Sequence, residues 1–152
     1  MFEKVAQLKK NGKRIGFTAS TFDLLHAGHI AMLEEAKSQC DFLIVGLLTD
    51  PTRDRKDSKN SPIQSSFERW LQAQAIAVID MVIPFDTEED LVNMINMIKP
   101  HVRIVGEEYK GKHHTGWNIK DVEIYYNKRN HNYGSSQLRK KIVDQENEKN
   151  RD

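Results

Sequence analysis

Two histidines, His26 and His29, stand three residues apart in the run Ser20-Thr-Phe-Asp-Leu-Leu-His-Ala-Gly-His-Ile30, with Gly28 between them. Imidazoles at that spacing can touch one phosphate group, donating to its oxygens and taking up charge when an anion stabilises it. A second polar group, Arg129 through Ser136, ends in paired hydroxyls at Ser135 and Ser136. Hydroxyls and free backbone N–H groups at the opening of a helix suit phosphate oxygens. A third feature is the cluster Arg53, Arg55, Lys56 and Lys59, and a fourth is Arg139, Lys140 and Lys141.

Such residues act only if secondary structure brings them to one place. Apolar-rich residues 14–18 predict a strand before the histidines, and residues 28–39 predict a helix behind them, with Ile30, Leu33 and Ala36 as its stripe. A strand end that meets a helix start turns free N–H groups and the positive end of the helix dipole toward one point. Upstream, Phe2, Val5 and Leu8 share a face of a leading helix that Asn11-Gly12 closes. Residues 41–48 form a nearly continuous apolar run, the signature of a strand covered on both faces.

Polar residues 51–62 predict a long loop of the kind that often carries function. A helix over 64–76 follows, with Phe67, Trp70, Leu71 and Ala75 expected to face inward. Residues 80–84 predict a third strand, and Asp86-Thr87-Glu88-Glu89 opens a helix with Leu91, Ile95 and Ile98 inside and Met94 and Met97 also in the core. Lys99-Pro100 stops it, residues 102–105 and 122–126 predict two more strands, and a last helix from Ser135 is expected to dissolve into a charged tail over 145–152. Alternating strands and helices give an α/β class: a Rossmann-like, doubly wound parallel sheet of about five strands with helices on both faces, as one domain over 1–152. In such sheets ligands bind beyond the carboxyl ends of the strands, where His26, His29, Gly106 and the 129–136 segment converge.

Composition narrows the partners. With 23 basic and 22 acidic residues in 152, there is no basic excess for general binding to nucleic acid or a membrane surface. The lone cysteine, Cys40, forms no internal disulfide and reads as a small core residue in a reducing, cytoplasmic setting. Two histidines on one helix face are also a start toward a zinc site, but no third ligand is evident, so no metal site is assigned.

At this point the motifs resemble a known family. Residues 21–30 look like the HxGH signature of the nucleotidyltransferase superfamily, nearest to glycerol-3-phosphate cytidylyltransferase and to the adenylyltransferase of ADP-heptose synthesis. The run Arg129-Asn-His-Asn-Tyr-Gly-Ser-Ser-Gln-Leu138 is similar to that family's second signature, R-T-x-G-I-S-T-T-x-I. Glu68-Arg69, the strand Ile79-Asp-Met-Val-Ile83 and Gly106-Glu-Glu-Tyr-Lys-Gly-Lys112 resemble further family segments.

The resemblance implies an enzyme that moves a nucleoside monophosphate unit from CTP, or alternatively ATP, to a small phosphorylated alcohol or sugar, releasing pyrophosphate. It implies catalytic roles for His26, His29 and Lys56. Nucleotide contacts fall to Thr21, Phe22, Gly28, Gly106, Glu107, Arg129, Asn130, Ser135 and Ser136, and substrate contacts to Asp23, Arg55 and Arg69. Mg2+ carried by the triphosphate, and a homodimer, are also implied. Ser20, Ala77, Asn130, Asn132 and Gly134 depart from the family pattern, with Ala77 replacing a common arginine. Those departures also motivate a non-catalytic nucleotide-binding module as the reading of another class.

Overall fold

The computed structural model describes residues 1–151; Asp152, the last residue of the charged tail, lies outside them. Five strands form one sheet in the order β3-β2-β1-β4-β5, every neighbouring pair parallel. They are β1 Ile15–Ser20, β2 Phe42–Leu48, β3 Met81–Phe85, β4 Val102–Gly106 and β5 Glu123–Asn127. The expected fold class is therefore present. Chain order reverses between β1 and β4, which makes the carboxyl ends of these two strands the switch point.

Alternation along β2 explains the two-sided core. Phe42, Ile44 and Leu48 pack on one face with Val5 of α1 (Phe2–Lys10) and Leu91, Met94, Ile95 and Ile98 of α5 (Glu88–Ile98). Leu43, Val45 and Leu47 pack on the other face with Leu33 and Ala36 of α2 (Ala27–Ser38), against which Trp70 of α4 (Ser66–Gln74) also lies. Cys40 sits beside Gly16 of β1, where any added Cβ would meet its sulfur at 2.5 Å. Burial raises its pKa, which keeps the thiol protonated. No helix among the described residues is long and apolar enough to cross a membrane.

Four expectations about elements need correction. The 51–62 segment is not loop throughout: Thr52–Arg55 forms a helical turn, α3, whose start is held by the Asp50 carboxylate accepting from the Thr52 N–H (2.9 Å) and hydroxyl (2.6 Å). The inward face of α4 is not Phe67, Leu71 and Ala75. Phe67 and Leu71 are 67% and 56% exposed, whereas Arg69 and Ala73 are buried. The guanidinium of Arg69 turns inward because carbonyl oxygens of Thr21, Leu48 and Thr49 await donors beneath the helix. Met97 is exposed and only Met94 is core. The last helix, α6, runs Ser135–Lys149, so the charged tail is helical for most of its length. None of its residues is buried, and its apolar Ile142 and Val143 are 46% and 56% exposed, so it stands on the surface without a core-facing stripe.

Candidate active site

The first half of the site lies between β1 and α2. Phe22 and Leu24 have φ of +50° each, a left-handed conformation costing an L residue about 1–2 kcal/mol. The turn is held by partners: the buried Asp23 carboxylate accepts from the N–H groups of Ile63 (2.9 Å) and Gln64 (2.9 Å), and Gln64 Oε1 accepts from the Leu24 N–H (2.9 Å). This strained turn delivers His26 to the N-cap of α2. Its Nδ1 accepts from the Gly28 N–H (3.0 Å), and His29 Nδ1 accepts from the His26 N–H (3.2 Å). The two signature histidines thus cap the helix reciprocally.

That geometry fixes their chemistry. With each Nδ1 accepting, the proton of each neutral ring lies on Nε2. The rings stack with centroids 3.9 Å apart. Burial, with a smaller contribution from His26, lowers the His29 pKa from 6.5 to about 4. Burial also lowers that of His26, with His131 and Arg129 adding to the effect. Both rings are uncharged Nε2–H donors at neutral pH. Gly28 permits the arrangement, because a Cβ there would lie 2.9 Å from the His26 ring and 3.0 Å from the Tyr133 carbonyl.

The second half is the start of α6, one strand beyond the switch point. Gly134 is its N-cap, and no side chain caps the helix. The first-turn N–H groups, with the Ser135 and Ser136 hydroxyls, are therefore available to an anion. His26 Nε2 reaches Ser135 Oγ at 3.1 Å and joins the two halves. Arg139 of α6 donates to the Asp23 carboxylate at 2.6 Å, tying the helix to the histidine turn. The Arg129 N–H approaches Glu107 Oε2 (3.4 Å), and its guanidinium approaches the Tyr133 carbonyl (3.4 Å).

A cleft of about 1180 Å³ runs between these halves. Of the residues picked out in the sequence, Thr21, His26, Gly28, His29, Arg55, Gly106, Arg129, Ser135 and Ser136 line it. Others lie elsewhere. Phe22 is core, its ring 5.4 Å from that of His29. Asp23 and Arg69 lie beneath the cleft, bonded to backbone and to Arg139, and hold the turn in place of reaching substrate. Lys56, Glu107 and Asn130 are exposed outside the lining. Ala77 is exposed and also outside it.

Reasoning from sequence missed Arg103 and Glu88. Both line the far end of the cleft with His114, Thr115 and Trp117. A signal existed for Arg103: a cation inside the apolar strand run Val102–Val105 needs a polar destination.

A parallel sheet with capped histidines and an uncapped helix start meeting at its switch point defines an α/β domain with an anion-receptive carboxyl edge. The chain belongs to the cytidylyltransferase-like family, whose model matches residues 17–145. It is 39% identical over 123 residues to the bifunctional protein HldE of Campylobacter jejuni, covering 80% of this chain and 26% of that protein. With the bifunctional protein HldE of Aliarcobacter butzleri the figures are 39% over 116 residues, 76% and 24%. The chain thus spans about a quarter of the length of these relatives. The crystal structure of the lipopolysaccharide core biosynthesis protein from Thermoplasma volcanium shares the fold, with a TM-score of 0.56 and 24% identity over 88% of both chains.

Proposed function

We propose that the chain transfers a nucleoside monophosphate unit to a small phosphorylated sugar and releases pyrophosphate. One observation carries this reading: His26 and His29, neutral Nε2–H donors, line a single cleft with the uncapped start of α6, whose Ser135 the His26 Nε2 reaches. The nucleotide is read as ATP, in place of the CTP and glycerol-3-phosphate-like acceptor favoured from sequence. The support is the likeness to the bifunctional HldE proteins together with the resemblance of residues 21–30 to the adenylyltransferase of ADP-heptose synthesis.

In the reaction an oxygen of the acceptor phosphate bonds to the α-phosphorus as the bond to the α–β bridging oxygen breaks. Pyrophosphate leaves with that electron pair. The attacking phosphate is already ionised, so no general base is required, and the protein's work is placement and charge stabilisation. His29 and His26 donate to oxygens at the α-phosphorus, while Ser135, Ser136 and the α6 N–H groups hold the β- and γ-phosphates. Arg129 neutralises the leaving pyrophosphate. Lys56 would join from segment 51–62 if that segment moved over the acceptor.

Magnesium is read as entering on the triphosphate. Among the described residues no three His, Cys, Asp or Glu side chains gather into a metal cage, so its ligands would be phosphate oxygens and water. The homodimer implied by the resemblance is proposed here too, supported by the exposed apolar side chains Ile63, Phe67 and Leu71, and a monomer in sedimentation at micromolar concentration would remove it.

Pyrophosphate release measured with ATP and CTP against phosphorylated sugars and polyols tests the reading. Release with ATP and a sugar phosphate is expected. Nucleotide binding by calorimetry with no release from any pair would favour the non-catalytic binding module.

A further inference from the structure

The cleft continues past the histidines toward α5, and this end carries groups that the transfer step does not use. Arg103 is 6% exposed on the α5 side of β4, and its protein acceptor is the Thr115 carbonyl. The Thr115 hydroxyl donates to Glu88, whose other carboxylate oxygen pairs with Arg55 at 3.0 Å. Beside this chain of contacts two buried polar atoms, Arg55 Nε and His114 Nδ1, have no hydrogen-bond partner among the described residues.

Charge at this end does not balance. Arg55 and Arg103 line it against the single lining carboxylate of Glu88, which leaves one positive charge. Glu108 lines the cleft nearer Gly106, and Asp54 lies outside the lining, accepting from the Glu88 N–H at 2.6 Å. Buried cations are retained where a counter-charge meets them, and buried donors where an acceptor does. Neutral sugar hydroxyls would satisfy Arg55 Nε and His114 Nδ1 but would leave the excess charge. An anion with several oxygens answers both.

We propose that the Arg55–Arg103–His114 end of the cleft binds a second anionic group of the acceptor, a carboxylate or a second phosphate, remote from the phosphate that attacks. The naming of that ligand as acceptor rests on the nucleotidyl-transfer reading; the anion site itself is read from its own residues. Thr115 holds Arg103 and Glu88 in register, and the incoming anion takes the guanidinium donors that Glu88 does not fill.

The test is calorimetry on the full chain with a non-hydrolysable ATP analogue filling the triphosphate side. Matched probes separate the sources: glucose 6-phosphate against 6-phosphogluconate adds a carboxylate, and fructose 6-phosphate against fructose 1,6-bisphosphate adds a phosphate. At least tenfold tighter binding of one doubly anionic probe is expected, and which probe gains names the anion. In Arg103→Leu that gain should fall to less than threefold, and Arg103→Lys should restore part of it. Arg55→Gln, in an exposed segment, reads the same ratio if Arg103→Leu does not fold. Equal affinities within both pairs, or a gain that persists in the variants, would overturn the proposal. Pyrophosphate release run alongside keeps the two readings apart: a gain in binding without release removes the transfer reading and leaves the anion site standing.

Discussion

His29 does two things at once, and its substitution should separate them. Its Nδ1 holds the start of α2, and its Nε2–H faces the cleft. His29→Ala removes one cap contact, worth about 1 kcal/mol, so the melting temperature should fall by only a few degrees. The rate of pyrophosphate release should fall by about 10²–10³, the usual cost of losing a donor aimed at developing charge. An active His29→Ala enzyme would refute the assigned role. The ring also sets a pH dependence. Its folded pKa of about 4 lies below its ordinary 6.5, so between those values the unfolded chain binds the extra proton. The stability that this group contributes is therefore complete above about pH 6.5 and is lost as pH falls toward 4. A proton NMR titration should find the free-protein His29 neutral down to about pH 4, and a triphosphate analogue should raise that value. A His29 that titrates near 6.5 in the free protein would contradict the buried, donating geometry.

At the scale of elements, α4 shows how a polar side chain can decide which face a helix buries. Arg69 brings three carbonyls from the carboxyl ends of β1 and β2, those of Thr21, Leu48 and Thr49, under one guanidinium, directly below the strained histidine turn. Arg69→Met should cost roughly 3 kcal/mol or more in urea unfolding, because it leaves buried carbonyls without donors. Arg53→Met, at the exposed Arg53–Asp86 pair, should stay within about 0.5 kcal/mol. Comparable losses for both would mean that Arg69 is not the internal strut described. The same helix marks the limit of legibility. Periodicity correctly read β2 and, Met97 apart, the α5 face, where every inward residue is apolar. It assigned Phe67 and Leu71 to the core, because apolar spacing carries no information about unpaired carbonyls on a neighbouring strand. The helical turn at Thr52–Arg55 and the length of α6 were hidden for a related reason: capping carboxylates and charged surface helices look like loop in composition.

For the whole molecule, a near-neutral chain gathers its candidate site at one edge of the sheet. The two signatures are about a hundred residues apart in sequence, and the switch point between β1 and β4 brings His26 within 3.1 Å of Ser135. That convergence was legible, because strand order and the two motifs both pointed to the carboxyl edge. The far end of the cleft was not, since Arg55, Glu88, Arg103 and His114 come from four separate segments and meet only in three dimensions. Transfer of label from ATP carrying α-phosphorus-32 to a sugar phosphate tests the central claim most directly. Labelled nucleotide-sugar formed in step with pyrophosphate, and reduced by about 10²–10³ in His29→Ala, is the predicted result. Label that stays on ATP with every sugar phosphate and phosphorylated polyol, in a protein that nonetheless binds the nucleotide, would contradict it.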